Sequence, residues 1–170
     1  MSKAFTKEDD VGDLPALPRL ISPLTPGTRN YLTADGSRRL RHELTELQET
    51  KRPPLVPIAQ RDGDALAELL LVDQRIAYLQ QSLQTAEVVS PPPEGSDRVR
   101  FGATVKVRGQ QGVETDYRIV GVDETNLDRN WVSWQSPIAR ALLNATLRQR
   151  VPFKFPSGQT ELEIVRISYD

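Results

Sequence analysis

Apolar positions change their spacing twice along the chain. Residues 1 to about 29 carry Pro15, Pro18, Pro23 and Pro26 and hold no sustained period. That composition predicts an extended or disordered tail. Phe5 and the LPALPRLI run are apolar docking material inside a leader that reads first as unstructured. From Thr33 to Arg52 the period becomes helical. Leu40, Leu44 and Leu47 fall at i, i+4 and i+7, and Arg38, Arg39, Arg41, Glu43, Glu46, Glu49 and Lys51 cover the other faces. Thr33 suits the N-cap, and Pro53, Pro54 and Pro57 are expected to end or break the helix. A second helix follows, with Asp64 as the expected N-cap. Its apolar seam is Ala65, Leu69, Val72, Ile76, Leu79, Leu83 and Ala86, spaced 4, 3, 4, 3, 4, 3. Two seamed helices joined by a short Pro/Gly/Asp segment predict an antiparallel hairpin, a coiled coil over residues 30–89. A hairpin that pairs its own seams predicts a monomer with its tip in water.

Residues 90–97 contain Pro91-Pro92-Pro93 and Glu94-Gly95-Ser96 and read as a linker. Beyond it the period is two. Strands are expected at 99–109, 116–122, 130–135, 151–155 and 161–169. Gly109 to Gly112 and Pro156-Ser157-Gly158 suit hairpin loops. Ser136 caps a short helix, SPIARALLNA, with Pro137 at its first position, where the missing N–H costs nothing. Residues 98–170 therefore read as an α+β unit: a twisted antiparallel sheet with one short helix.

Composition narrows the function classes. The 170 residues carry a formal charge of −1, so no global basic field attracts nucleic acid. The chain has no cysteine, which excludes disulfides and thiolate metal sites. No apolar run approaches membrane-spanning length, and MSKAFTKEDDVGDLP lacks the apolar core of a secretory signal. A cytoplasmic protein without a membrane partner is expected.

Several stretches carry a family resemblance. NYLTADGSRRLRHELTEL (30–47), VDQRIAYLQQSL (72–83), VRFGATVKV (99–107), YRIVGVDE (117–124) and VSWQSPIARALL (132–143) together resemble the GreA/GreB transcript-cleavage factors. The MSKAFTKEDD start and the WQSPIARALL segment lean towards the GreB side. The resemblance covers residues 28 to 169. It implies an N-terminal antiparallel coiled coil and a C-terminal FKBP-like sheet, with bacterial RNA polymerase as the partner. The sheet unit would dock at the rim of the secondary channel, through Trp134, Ser136, Pro137 and Arg140 as candidate contacts. The hairpin would enter the channel and meet nascent RNA indirectly, with Arg38, Arg41 and Arg52 as candidate RNA or channel contacts. Acids at the hairpin tip would help to hold a Mg²⁺ of the polymerase active centre, which then cleaves its own backtracked RNA. The resemblance implies an accessory factor with no stably bound cofactor or metal of its own.

The tip departs from the family pattern. That pattern runs roughly Gly-Asp-x-x-Glu-Asn-Ala-x-Tyr; here Gly63-Asp64-Ala65-Leu66-Ala67-Glu68 leads into Leu69-Leu70-Leu71. The acid comes four residues after Asp64 instead of three, and the Asn and the aromatic are gone. The stretch from Arg52 to Asp73 is shorter than the family's by roughly a dozen residues, which at ~1.5 Å per residue per arm withdraws the tip by about 9 Å. Three readings stand side by side. Asp62, Asp64 and Glu68 form a working catalytic tip; or they cap a helix, shape a turn and face solvent; or the protein occupies the channel without stimulating cleavage.

Other residues carry weaker alternatives. His42 is the only histidine and reads as a solvated helix residue. Gly102, Gly109 and Gly112 fit strand turns rather than a phosphate loop. Trp131 and Trp134 fall on opposite faces of one strand, so one is expected in the core and the other is free as an interface anchor. An FKBP-like fold also raises prolyl isomerase activity, which needs Tyr117, Phe101, Phe153, Phe155, Tyr169 and the tryptophans to gather into one pocket.

Overall fold

The computed structural model describes Leu24, residues 27–93 and residues 96–169. The expected tail up to residue 23, with Phe5 and the LPALPRLI run, lies outside the described residues. In chain order the elements are β1 (Asn30–Thr33), α1 (Ala34–Glu46), a π-helical segment (Leu47–Lys51), α2 (Arg52–Ile58), α3 (Gly63–Thr85) and β2 (Ala86–Val89). Then come β3 (Thr104–Arg108), β4 (Glu114–Val120), two 3-10 turns (Val122–Glu124 and Leu127–Arg129), β5 (Trp131–Ser133), α4 (Pro137–Leu142), β6 (Arg150–Phe155) and β7 (Gly158–Ser168). The result is an α+β fold, a helical hairpin followed by a sheet.

The hairpin follows the predicted seam. Thr33 caps α1, its Oγ1 accepting from the Gly36 N–H at 2.9 Å. Leu40, Leu47, Val72, Ile76 and Leu79 are buried against one another, with Leu44 and Leu83 packed on them. The expected break at the prolines does not occur. The first arm continues through the π segment into α2, where Arg52 N–H reaches back five residues to the Leu47 carbonyl. That wider turn resets the register, so Pro53 and Pro54 fall in the first turn of α2, where missing N–H groups leave no internal bond unmade. Only Pro57 lies inside a helix.

At the hairpin base, β1 and β2 pair in parallel, Asn30 opposite Ala86 and Thr33 opposite Val89. This two-stranded ladder closes the arms and takes Ala86 out of the helix. Four-residue strands without alternation left no periodic signal.

The larger sheet runs β5-β4-β3-β7-β6. It is mixed, not wholly antiparallel, because β5 lies parallel to β4. The two 3-10 turns supply the crossover that a parallel neighbour requires. Val105, Val107, Ile119 and Ile164 fill its core with Ala139 and Leu142 of α4, capped by Ser136 as expected (Oγ to Ala139 N–H, 3.2 Å). The strand expected from residue 99 begins only at Thr104, after a turn at Phe101-Gly102.

One buried acid joins hairpin to sheet. Glu124, its side chain 1% exposed, sits in the first 3-10 turn. Its carboxylate accepts from Thr33 N–H (2.9 Å), Thr33 Oγ1 (2.5 Å) and Gly121 N–H (3.0 Å), with Arg39 at 3.7 Å. Its neighbour Asp123 accepts from Ser82 Oγ (2.5 Å) and from the Tyr78 hydroxyl. Adjacent carboxylates thus hold one arm each. The fit is close: a Cβ on Gly36 would stand 1.9 Å from Glu124 Oε1, and one on Gly121 2.2 Å from the Tyr31 carbonyl oxygen.

Within an open helix, replacing Gly by Ala stabilises by about 0.5–1 kcal/mol. Gly36→Ala is expected to do the reverse here and destabilise by about 1–3 kcal/mol, because it displaces a buried carboxylate from its donors. Urea denaturation reads the sign; an unchanged or higher midpoint means that Glu124 is not held there.

Candidate functional site

The turn Ala59–Asp62 joins α2 to α3 and forms the hairpin tip. Sequence spacing favoured Asp64 as the α3 cap, but Asp62 fills that role. Its Oδ1 accepts from the N–H groups of Asp64 (2.9 Å) and Ala65 (3.1 Å), and its backbone is extended as an N-cap requires. The two-residue difference follows from Gly63, which enters the helix instead of ending the turn. Asp62 is therefore engaged in capping. Asp64 and Glu68 are exposed and one turn apart on α3, on the same flank.

As hard oxygen donors, Asp64 and Glu68 suit Mg²⁺, but they supply only two of its six ligands. Among the described residues, no three His, Cys, Asp or Glu side chains are grouped to hold a metal. Water or a second molecule would have to complete the shell of any ion there.

Apolar surface accompanies these acids. Ile58, Leu71, Leu70 and Val56 are 50%, 48%, 39% and 38% exposed. Helical spacing sets Leu66 and Leu70 on one flank of α3 and Leu71 on the other, beside Asp64 and Glu68. The turn itself is polar, with Gln60, Arg61 and Asp62 exposed, and the apolar surface lies on both arms just behind it, beside Asp64 and Glu68.

The basic residues of the first arm divide by partner. Arg52 crosses the hairpin to Asp73 at 2.6 Å. Arg38 and Arg41 are exposed; Arg38 pairs with Asp35 at 3.2 Å and holds that carboxyl below the ordinary range through their hydrogen bond. Arg75 and Glu43 make a two-pronged pair between the arms, at 2.7 and 2.9 Å.

On the sheet, the structure separates the four residues expected to act together. Trp134 packs against the core and the Tyr31 ring (5.2 Å between centroids), and Ser136 caps α4. Pro137 and Arg140 are exposed on α4. Trp131 lies under a stack of guanidiniums: Arg39 at 4.8 Å, Arg118 at 4.9 Å and Arg129 at 5.4 Å from its ring. Neither tryptophan is thus wholly core or wholly free. His42 is exposed, as expected. The aromatics do not converge on one pocket: Tyr31, Phe101 and Trp134 meet at the hairpin base, while Phe153 and Phe155 pair on β6.

Sequence reasoning missed Asp123 and Glu124. Their signal was present as two adjacent acids just past Gly121-Val122 at a strand end, but their partners lie 41 to 91 residues away.

A profile described as "Transcription elongation factor, GreA/GreB, C-term" matches residues 93–169. A transcription elongation factor GreB from Neisseria meningitidis is 36% identical over 155 residues, covering 84% of this chain and 95% of its own length. A GreB from Pseudomonas aeruginosa is 34% identical over 163 residues, covering 89% and 96%. Since 84% of 170 residues is about 143, roughly a dozen of the 155 positions aligned with the Neisseria protein have no counterpart here. Among solved structures, a prokaryotic transcription elongation factor GreA/GreB from Nitrosomonas europaea is 20% identical, covers 82% of this chain and 99% of its own, and superposes with a TM-score of 0.41.

The capping assignment has a direct consequence. Asp62→Ala is expected to lower stability by about 1 kcal/mol. Asp64→Ala should cost no more than the few tenths of a kcal/mol of an exposed first-turn acid. Parallel urea titrations decide it, and the opposite ranking would restore Asp64 as the cap.

Proposed function

The chain belongs to the GreA/GreB family of transcription elongation factors, and from that premise we propose that it regulates RNA polymerase by occupying the secondary channel rather than by completing the cleavage site. The C-terminal sheet docks at the channel rim, with Pro137 and Arg140 facing the polymerase and Trp134 and Ser136 holding that surface in shape. The hairpin enters the channel. Arg38 and Arg41 contact channel wall or RNA; Arg52 is committed to Asp73. The protein acts as a cytoplasmic monomer and an accessory factor without an activity of its own.

One observation carries this reading: exposed leucine, isoleucine and valine side chains stand on both arms just behind the tip, and one of the three acids there is already used as a helix cap. A catalytic tip has to bring carboxylate oxygens within about 2.0–2.1 Å of Mg²⁺. The positions missing against the relatives, assigned to the two arms, would leave this tip several ångströms short. Apolar arms placed against a protein wall gain from burial without any such distance requirement.

A second reading keeps cleavage stimulation, and the exposure of Asp64 and Glu68 on one flank of α3 favours it. In that case the two carboxylates share a Mg²⁺ with the polymerase.

RNA cleavage in stalled, backtracked elongation complexes with cognate polymerase separates the two readings. The expected outcome is no acceleration by the wild-type chain, the same result for Asp64→Ala/Glu68→Ala, and competition by both against an authentic cleavage factor. Faster cleavage with wild type that disappears in the double variant would establish the catalytic reading instead. Failure of both proteins to compete would remove the channel as the binding site.

A further inference from the structure

A lone exposed leucine on a protein surface needs no explanation. Leu127 differs in its setting. It is 87% exposed, and the turn that carries it is fixed. Asn126 and Trp131 exchange two backbone hydrogen bonds, at 3.0 and 2.8 Å. Asn130 N–H donates to the Leu127 carbonyl at 3.1 Å, and Asn126 Oδ1 accepts from Arg129 N–H at 3.1 Å. Asn130 completes the turn in the left-handed region, with φ of +54°, and its carbonyl accepts from Arg118 N–H on β4 at 3.1 Å. The leucine therefore stands in water on a rigid support, and docking it costs little backbone freedom.

The surface around it is cationic. Arg129, in the same turn, lies over the Trp131 ring with Arg39 and Arg118, and Arg38 precedes Arg39 on α1. Against these four guanidiniums the same surface sets two exposed carboxylates, Asp35 and Asp128, while Glu124 is buried. Stacking on one indole restrains three of the arginines before any partner arrives. An apolar side chain ringed by arginines fits a protein surface of the opposite pattern, an apolar recess bordered by carboxylates. A nucleic-acid backbone supplies the charge but no recess for a leucine.

The turn leads into β5, and α4 follows β5, so Leu127 and the exposed Pro137 and Arg140 bracket one short strand. Arg39 reaches Trp131 from α1, which puts the turn beside the base of the hairpin. We propose that Leu127, with Arg129 beside it, is a second anchor of the docked sheet, seated in an acid-bordered apolar recess of RNA polymerase outside the channel. This anchor presupposes the docking of the sheet proposed above. Leu127 sets how long the complex lasts and the arginines how fast it forms, because buried apolar contact is lost on dissociation whereas charge steers the encounter.

Binding kinetics of the full chain on immobilised cognate RNA polymerase test the anchor. Leu127→Ala is expected to speed dissociation about tenfold with an unchanged association rate. Leu127→Met, which keeps the apolar reach, should bind like wild type. Arg129→Glu should slow association several-fold at low salt, and the difference should shrink as salt is raised. Val113→Ala, a truncation in the β3–β4 turn, should leave both rates alone. All three positions are exposed, so the substitutions leave the fold in place. Unchanged dissociation with Leu127→Ala, or equal acceleration by Val113→Ala, would overturn the anchor while leaving polymerase docking intact. Wild-type protein that does not bind polymerase would remove the docking and the anchor together. Single-stranded RNA bound by the free protein, weakened by Arg129→Glu but not by Leu127→Ala, with polymerase kinetics unchanged in both, would assign the cationic surface to nucleic acid instead.

Discussion

Everything about the direction of the hairpin rests on a carboxylate that water does not reach. An ionised Glu without partners in the interior would cost several kcal/mol. Glu124 instead accepts from two backbone N–H groups and a hydroxyl, with a guanidinium nearby. Two of those donors belong to Thr33, the residue that ends β1 and caps α1. The same short turn presents Asp123 to Tyr78 and Ser82 on α3. Because the parallel β1–β2 ladder ties the arms together, fixing each arm to one turn of the sheet fixes the whole hairpin. Small residues make the approach possible: any side chain at Gly36 or Gly121 would occupy space already taken by Glu124 or by the Tyr31 carbonyl. Arg39 extends the contact by spanning from Glu124 and Asp35 to the face of Trp131.

What could be read from the sequence divides by range. The leucine seam, the Thr33 and Ser136 caps and the strand alternation are local patterns, and each reappears in the structure close to where the residue spacing put it. The clasp joins positions 41 to 91 residues apart and has no periodic signature. The β1–β2 ladder is too short to alternate and pairs residues at opposite ends of the hairpin. The prolines misled for a different reason. Proline breaks a helix by removing a donor and crowding the preceding turn, but a π segment shifts the bonding register by one residue, and Pro53 and Pro54 then fall where no donor is needed. Cap choice turned on Gly63: once it joins α3, the cap moves back to Asp62. The parallel β5 was hidden because only the path of the 3-10 turns, not the composition of the strand, decides its direction.

At the tip, the proposed channel occupancy rests on two considerations, the reach of the hairpin and the chemistry of its exposed side chains. A metal ligand tolerates only tenths of an ångström of misplacement, so a shortened hairpin loses that use abruptly rather than by degrees. Packing against a wall is tolerant by comparison, since apolar burial follows area and has no required direction. Selection acting on a tip that no longer reaches a metal would not maintain an Asn and an aromatic beside the acid. It would instead tolerate leucines that gain whenever a surface covers them. Leu66, Leu70 and Leu71 fit that description, and Asp62 is already engaged by two backbone N–H groups of α3. The carboxylates of Asp64 and Glu68 then set charge beside the exposed leucines of α3, a role that needs no particular distance.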